Sequence, residues 1–297
     1  MNGLGFPLLP EITDALLEQC SSSDDYRPIL FELYKHVGLL SIAFAQISPE
    51  SQGLRALPPL EFSILIGLLT RCSRLMLSTL RLTSEGRHGE TTALIDRCIF
   101  ESSVILRWLC CTELSDRFER YVGHGLKSEL ALKALIEETI RTRGGVPWAI
   151  EKRMIESIAR YVDASGFDEK QVAQSKRLPD LASMIRAIGR DPIDYVVGQR
   201  LASHAVHGTW PDLFTHYLEQ ADGRLVPCDN ASSSMTANEF MSISLHVLNA
   251  LDAFCEYVVL QPDARIELAT RITSARSQLL SIYDLIAKGD FDPEPTF

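Results

Sequence analysis

Several signatures of familiar chemistry are missing from this 297-residue chain. It has no Gly-x4-Gly-Lys-Ser/Thr to cradle a triphosphate, no Gly-x-Gly-x-x-Gly behind a strand, and no Gly-x-Ser-x-Gly elbow, so nothing in it points to P-loop, dinucleotide-fold or α/β-hydrolase chemistry. His-Glu-x-x-His is absent, as is the pair of Glu-x-x-His motifs that builds a di-iron bundle. Cysteine is scarce and odd in number, seven in all. No Cys-x2-Cys pair occurs, and Cys110 and Cys111 are adjacent within a helical pattern, so reduced thiols are expected. Positive charge is in deficit, with 29 Lys and Arg against 39 Asp and Glu and a net charge of −10. That balance argues against an extended duplex-DNA surface or attraction to an anionic membrane. The opening Met-Asn-Gly-Leu-Gly-Phe-Pro-Leu-Leu-Pro lacks the basic region and long apolar run of a signal peptide. The most apolar stretch, Phe62 to Leu69, stops at Arg71 and is too short to span a bilayer. A soluble cytoplasmic protein without a membrane partner is the expectation.

What the chain does have is helical periodicity. Hydrophobic content of 46% and charged content of 23% suit a globular core, and the length allows one large domain or two modest ones. Helices are expected over Pro10–Cys20, Tyr26–Ile47, Pro58–Leu82, Glu90–Cys111, Ser115–Arg143, Pro147–Ala164, Pro179–Ile188, Pro192–His207, Asn238–Leu260 and Pro262–Ala287. Prolines fall near the predicted starts, where the missing amide hydrogen costs nothing. Breakers such as Gly86 to Gly89 and Gly144-Gly145 fall between helices. Gly223 to Cys228 reads as a short hairpin arm or a loop. The class is therefore all-α: a multi-helix bundle with a buried central helix and a C-terminal helical hairpin packed on it. The organisation read from the chain is N-terminal helices over 1–57, a core bundle over 58–221, and the hairpin over 235–297 as part of the same domain. Gln261-Pro262 leaves almost no linker within that hairpin.

The most informative segment runs from Asp191 to Gly208. Asp191 suits a helix cap, Pro192 the first turn, and Gly208 the end. Ile193, Val196 and Val197 share one stripe, expected to face the core. Arg200, Ser203, His204 and His207 continue it within an arc of about 100°. A stripe that turns from apolar to ionisable borders a pocket, a polar network or a partner.

A second polar pair interrupts Glu90–Cys111, a helix apolar nearly all round and so expected at the centre of the bundle. Arg97 and Glu101 are four apart on the side of Leu94 and Trp108 and are expected to point inward. Burying ions is costly unless they pair and hydrogen-bond. These two can pair with each other, although arginine-first is the weaker order for such a bridge.

Together these helices carry a resemblance. Arg97-x3-Glu101 followed by Trp108, then Tyr195 and Ser203-x3-His207-Gly208-Thr209, resembles a bacterial helical family known only as a domain of unknown function, DUF5677, over roughly Pro58 to Tyr217. More loosely, Arg200-x6-His207 is similar to the longest arginine-to-histidine spacing of the HEPN superfamily, helical nucleotide-binding and ribonuclease domains of toxins and phage-defence proteins. Leu201 follows the arginine where a polar residue is usual there. This second likeness implies a homodimer in which two such motifs face one composite site without metal.

Under a catalytic reading, His207 is the acid/base for attack of a ribose 2′-hydroxyl. Arg200 is then the phosphate clamp, with His204 or Ser203 as a positioning group. Arg97, Glu101 and Ser203 are the binding residues. No cofactor and no metal are expected, although His204, His207 and Glu101 have ligand-type side chains at workable spacing. Two other readings stay open. One is a structural network in which each histidine is satisfied by a hydroxyl or carbonyl; the other is a non-catalytic module binding a nucleotide, small ligand or partner protein. The expectation is an RNA-directed effector, with RNA or a nucleotide as partner.

Overall fold

In a computed structural model of the chain, residues 5–111, 113–191, 193–196, 198, 202–228 and 234–290 are described; at 194, 202, 203 and 288–290 the description covers the backbone alone. The chain divides into two compact units, one of Met1–Cys111 with Leu181–Phe297 and one of Thr112–Asp180.

The larger unit is organised around one central helix. Its elements are α1 (Asp14–Ser23), α2 (Arg27–Ala45), α3 (Pro59–Thr83), α4 (Gly89–Cys111), α8 (Leu181–Ala187), α9 (Ile193–Tyr195), α10 (Ala202–His207), α11 (Trp210–His216), β1 (Leu218–Ala221), β2 (Arg224–Pro227), α12 (Ala237–Val258) and α13 (Pro262–Asp290). As its all-round apolar pattern predicts, α4 is the centre, packed against α3, α12, α8 and α10. Ile99, Phe100, Val104, Leu106, Trp108 and Leu109 are buried along it. Its start is pressed against other backbone: a Cβ on Gly89 would stand 2.6 Å from the carbonyl carbon of Ser234.

By length and composition α2 alone, among the described residues, is apolar enough to cross a membrane. Its apolar side chains are spent on the core. Leu30, Leu33, Val37, Leu40 and Phe44 are sealed, and the helix packs on α3, α12 and α13.

The C-terminal hairpin forms as expected. Thr236 caps α12: its Oγ1 accepts from Glu239 N at 3.3 Å, and Glu239 Oε2 accepts from Thr236 N at 2.6 Å. This reciprocal arrangement satisfies two of the helix's orphan donors. The α2–α3 connection straps the hairpin turn, with Arg55 N donating to Val258 O at 2.8 Å and Leu260 N to Gly53 O at 2.8 Å. Gly53 makes that turn at φ +81, a conformation costly for other residues.

The smaller unit is a helical hairpin with one short helix: α5 (Arg117–Thr142), α6 (Ala149–Ser165) and α7 (Glu169–Gln174). Phe118, Leu126, Ile136, Ile158 and Val172 form its core. Gly144 and Gly145, both at positive φ, reverse the chain between α5 and α6. Glu151 then accepts from Trp148 N at 2.7 Å and pairs with Arg143 at 2.6 Å. Asp116 holds Arg120 and Lys176 at 2.9 Å each, and hydrogen bonds from these two cations bring its carboxyl down to about 2.

Two short helices, α7 and α11, escape the periodicity argument because each has too few residues to show a repeat. The Gly223–Cys228 arm is the second strand of a two-stranded ribbon, in register Leu218↔Pro227 through Ala221↔Arg224. Asp222 and Gly223 turn it with φ of 50 and 75, the pair of left-handed residues that a two-residue hairpin favours. Trp210 and Pro211 open α11, as a helix start does.

Candidate functional site

Along α4, Ala93, Asp96 and Phe100 recur at helical spacing and form one wall of a cleft in the larger unit. Glu239, Ser242 and His246, at the same spacing along α12, form the facing wall. Tyr283 of α13 and Gly198 also line it, and the cleft volume is about 570 Å³. That size falls within the roughly 300–1,000 Å³ usual for small-molecule sites.

The wall is mostly apolar, with one costly exception. Asp96 is 7% exposed, and neither of its carboxylate oxygens has a hydrogen-bond partner among the described residues. Burial pushes its carboxyl well above the ordinary carboxylate value, and the charge of nearby Glu239 adds to the effect. The proton therefore stays on to a higher pH than usual, because a bare charge here would lose its water without gaining a counter-ion. Behind it, Tyr34 of α2 is sealed, its hydroxyl pushed up first by burial and then by Asp96. The Tyr34 ring is held edge-on to Phe240 at 5.4 Å. Phe100 and His246 meet edge to face across the cleft, with ring centroids 4.7 Å apart and planes at 82°.

Gly198 fits this wall by having no side chain. A Cβ there would stand 2.5 Å from Cε2 and Cζ of the Phe100 ring. This contact corrects the expected orientation of the Asp191–Gly208 segment. Ile193 is 55% exposed and Val196 is also exposed, so these two do not face the core; Tyr195 is half-buried and Gly198 lies on Phe100. Two features account for the rotation. The chain widens into a π-type turn at Val196 and Gly198, which shifts the phase of the helix. Only a glycine also permits the close approach to the buried ring.

The residues singled out from the sequence are placed as follows. Arg97 and Glu101 lie one step round α4 from Asp96 and Phe100. Arg97 Nε donates to Glu101 Oε1 at 3.0 Å, and the side chains are 21% and 36% exposed, so the pair sits at the edge of the core and not inside it. Helix α10 packs on α4, which brings the segment bearing Ser203, His204 and His207 against the helix bearing Arg97 and Glu101. His204 is half-buried, with Nδ1 2.7 Å from Thr209 Oγ1. His207 is exposed. Arg200 and the side chain of Ser203 lie outside the described residues. No group of three or more His, Cys, Asp or Glu is arranged to hold a metal ion among the described residues.

Sequence reasoning passed over Asp96, Glu239 and the placement of His246. A signal was present for the first: Thr92, Asp96, Ile99 and Ser103 share a helix face, and all four are buried. For Glu239 the Thr236-x-x-Glu239 capping pattern was legible, though not its position beside a cavity.

A family model described as "Family of unknown function (DUF5677)" matches residues 62–225, more than half of the chain. The chain belongs to this family. The DUF5677 match takes in Arg97, Glu101, Arg200, Ser203, His204 and His207, together with Asp96, Phe100 and Gly198. It stops short of Glu239, His246 and Tyr283, so in this DUF5677 chain the second wall of the cleft comes from outside the matched region. No curated protein and no solved structure matches the chain.

Proposed function

We propose that the chain is a helical ligand-binding module whose receptor site is the cleft between α4 and α12. One observation carries this reading: a buried carboxyl without a hydrogen-bond partner among the described residues, Asp96, in the wall of a mostly apolar cleft of about 570 Å³. Leaving a buried polar group unmade costs on the order of 1–3 kcal/mol. A ligand that completes it recovers that cost on binding, whereas a purely structural carboxyl has its partner built in. The test is calorimetric and thermal-shift screening of the full chain against small molecules, with Ser242→Trp as the control that fills the cleft. Binding lost in that variant, with its melting temperature otherwise intact, supports the reading. Ligands that bind parent and filled variant alike overturn it.

A second reading is favoured by a separate observation: His207 presents an exposed imidazole on a helix packed against that of Arg97 and Glu101, with His204 bonded to Thr209 beside it. In this reading the chain is a HEPN-like, metal-independent endoribonuclease of a bacterial toxin or defence system, cytoplasmic and homodimeric. Its His207 is the acid/base and its Arg200 the phosphate clamp. Mixed RNAs are incubated in chelator with parent, His207→Ala and Arg200→Ala. Loss of His207 lowers the rate by about two to four decades if it performs acid–base work; equal decay in all three removes the nuclease reading.

A further inference from the structure

The charge pattern of the cleft narrows what it takes. Asp96 and Glu239 both face it, and no Lys or Arg lines it among the described residues. Glu239 is already engaged by Thr236, whose N and Oγ1 lie 2.6 and 2.9 Å from its Oε2. That carboxylate also offsets the positive end of α12, so the helix terminus offers little to an anion. Asp96 is left as an acceptor whose two buried oxygens have no hydrogen-bond partner among the described residues. A phosphate or carboxylate seated here would face two carboxyl groups with no Lys or Arg among the described lining residues.

Apart from Asn238, Ser242 and His246, the rest of the lining is aromatic or aliphatic. Phe100, Met241, Leu245 and Tyr283 supply faces that cover an apolar body. The His246 ring packs edge to face with Phe100. These features describe one chemical class.

We propose that the cleft binds a small organic cation, an amine or amidinium on a flat apolar body, with Asp96 as its counter-charge and hydrogen-bond acceptor. This rests on the reading of the cleft as a ligand site and adds the class of ligand. The titratable groups nearest Asp96 are Glu239 from α12 and Tyr34 from α2, and His246 of α12 lines the same cleft. Glu239 opposes a negative charge at Asp96, and no Lys or Arg among the described lining residues offsets it. A cation removes that opposition, so the carboxyl ionises as the ligand seats, and an N–H donor satisfies an oxygen that is otherwise unpaired. Charge-assisted bonds of this kind are about twice as strong as neutral ones.

The experiment uses the full chain, with benzamidine and phenethylamine as cationic probes and benzamide and 2-phenylethanol as their neutral counterparts. Titration calorimetry is run on parent, Asp96→Asn and Ser242→Trp. The expected result is measurable binding of at least one cation to the parent, no measurable binding of its neutral counterpart, and a loss of at least about tenfold in affinity in Asp96→Asn. Ser242→Trp abolishes the binding. If the neutral probe binds as well as the cation, or Asp96→Asn leaves cation affinity unchanged, the ligand class is wrong. The cleft reading survives that result so long as Ser242→Trp still blocks the probe. If neither cation binds the parent at concentrations up to about 1 mM, the ligand class is likewise refuted; the wider screen decides the cleft reading.

Discussion

Replacing Asp96 with asparagine tests the electrostatics of the cleft in the unliganded protein. In the unfolded chain this carboxyl titrates near its ordinary value of 3.8. In the folded chain burial, reinforced by Glu239, raises it well above that. At any pH between the two values the folded state holds a proton that the unfolded state has released. Stability therefore falls as pH rises through that window, by at most about 1.4 kcal/mol per pH unit for one proton. The substituted amide has no such proton, and the slope it leaves belongs to other groups. One of these, His36, runs the opposite way: burial lowers it from 6.5, so the unfolded chain gains the proton first and stability falls as pH drops. Taking the difference between parent and Asp96→Asn at each pH cancels that contribution. The buried amide also lacks a full set of partners, so slopes are compared and not absolute stabilities. Urea unfolding followed by far-UV circular dichroism, between about pH 5 and pH 8, should show the variant gaining on the parent as pH rises. Parallel curves across the range would refute the burial argument, since they would mean that Asp96 ionises in the folded state as readily as in the unfolded chain.

Other substitutions probe the frame that holds the cleft. Gly198→Ala forces a methyl to 2.5 Å from the Phe100 ring, which is sealed in the core and held against His246. A loss of about 1–3 kcal/mol is expected from overpacking, smaller in a Phe100→Leu background; an unchanged or raised midpoint contradicts the close approach. Thr236→Ala removes the cap of α12 and is expected to cost about 1 kcal/mol. Hydrogen exchange of the first turn of that helix should rise with it, and unchanged protection would count against the cap. Trp108→Ala empties the buried heart of α4 and is expected to cost about 3–5 kcal/mol. A loss under about 1 kcal/mol in chemical denaturation would place Trp108 outside the cooperative core.

Much of the fold was legible because long amphipathic or apolar helices announce themselves. The central place of α4 follows from its lack of a polar face. The hairpin of α12 and α13 follows from two long helical runs separated by almost nothing. Prolines marked several helix starts. The site was legible only in part, because periodicity says which residues share a face and not which way that face turns. Ile193 and Val196 share a stripe, yet a π-type turn and the demand of Phe100 for a glycine neighbour leave both exposed and put Gly198 against the ring.

Arg97 and Glu101 pair with each other as their spacing allowed, but at the margin of the core, since a half-exposed pair avoids most of the desolvation that full burial imposes. Asp96, one residue before Arg97, carries the buried charge problem instead. Its neighbours along the chain say nothing of this. The carboxyl is sealed by α2 and α12 and meets Glu239, distant in sequence, across the cleft. Composition and periodicity determined an all-α chain with α4 at its heart; which carboxyl would be stripped of water and left facing a cavity was decided only when α12 closed over α4.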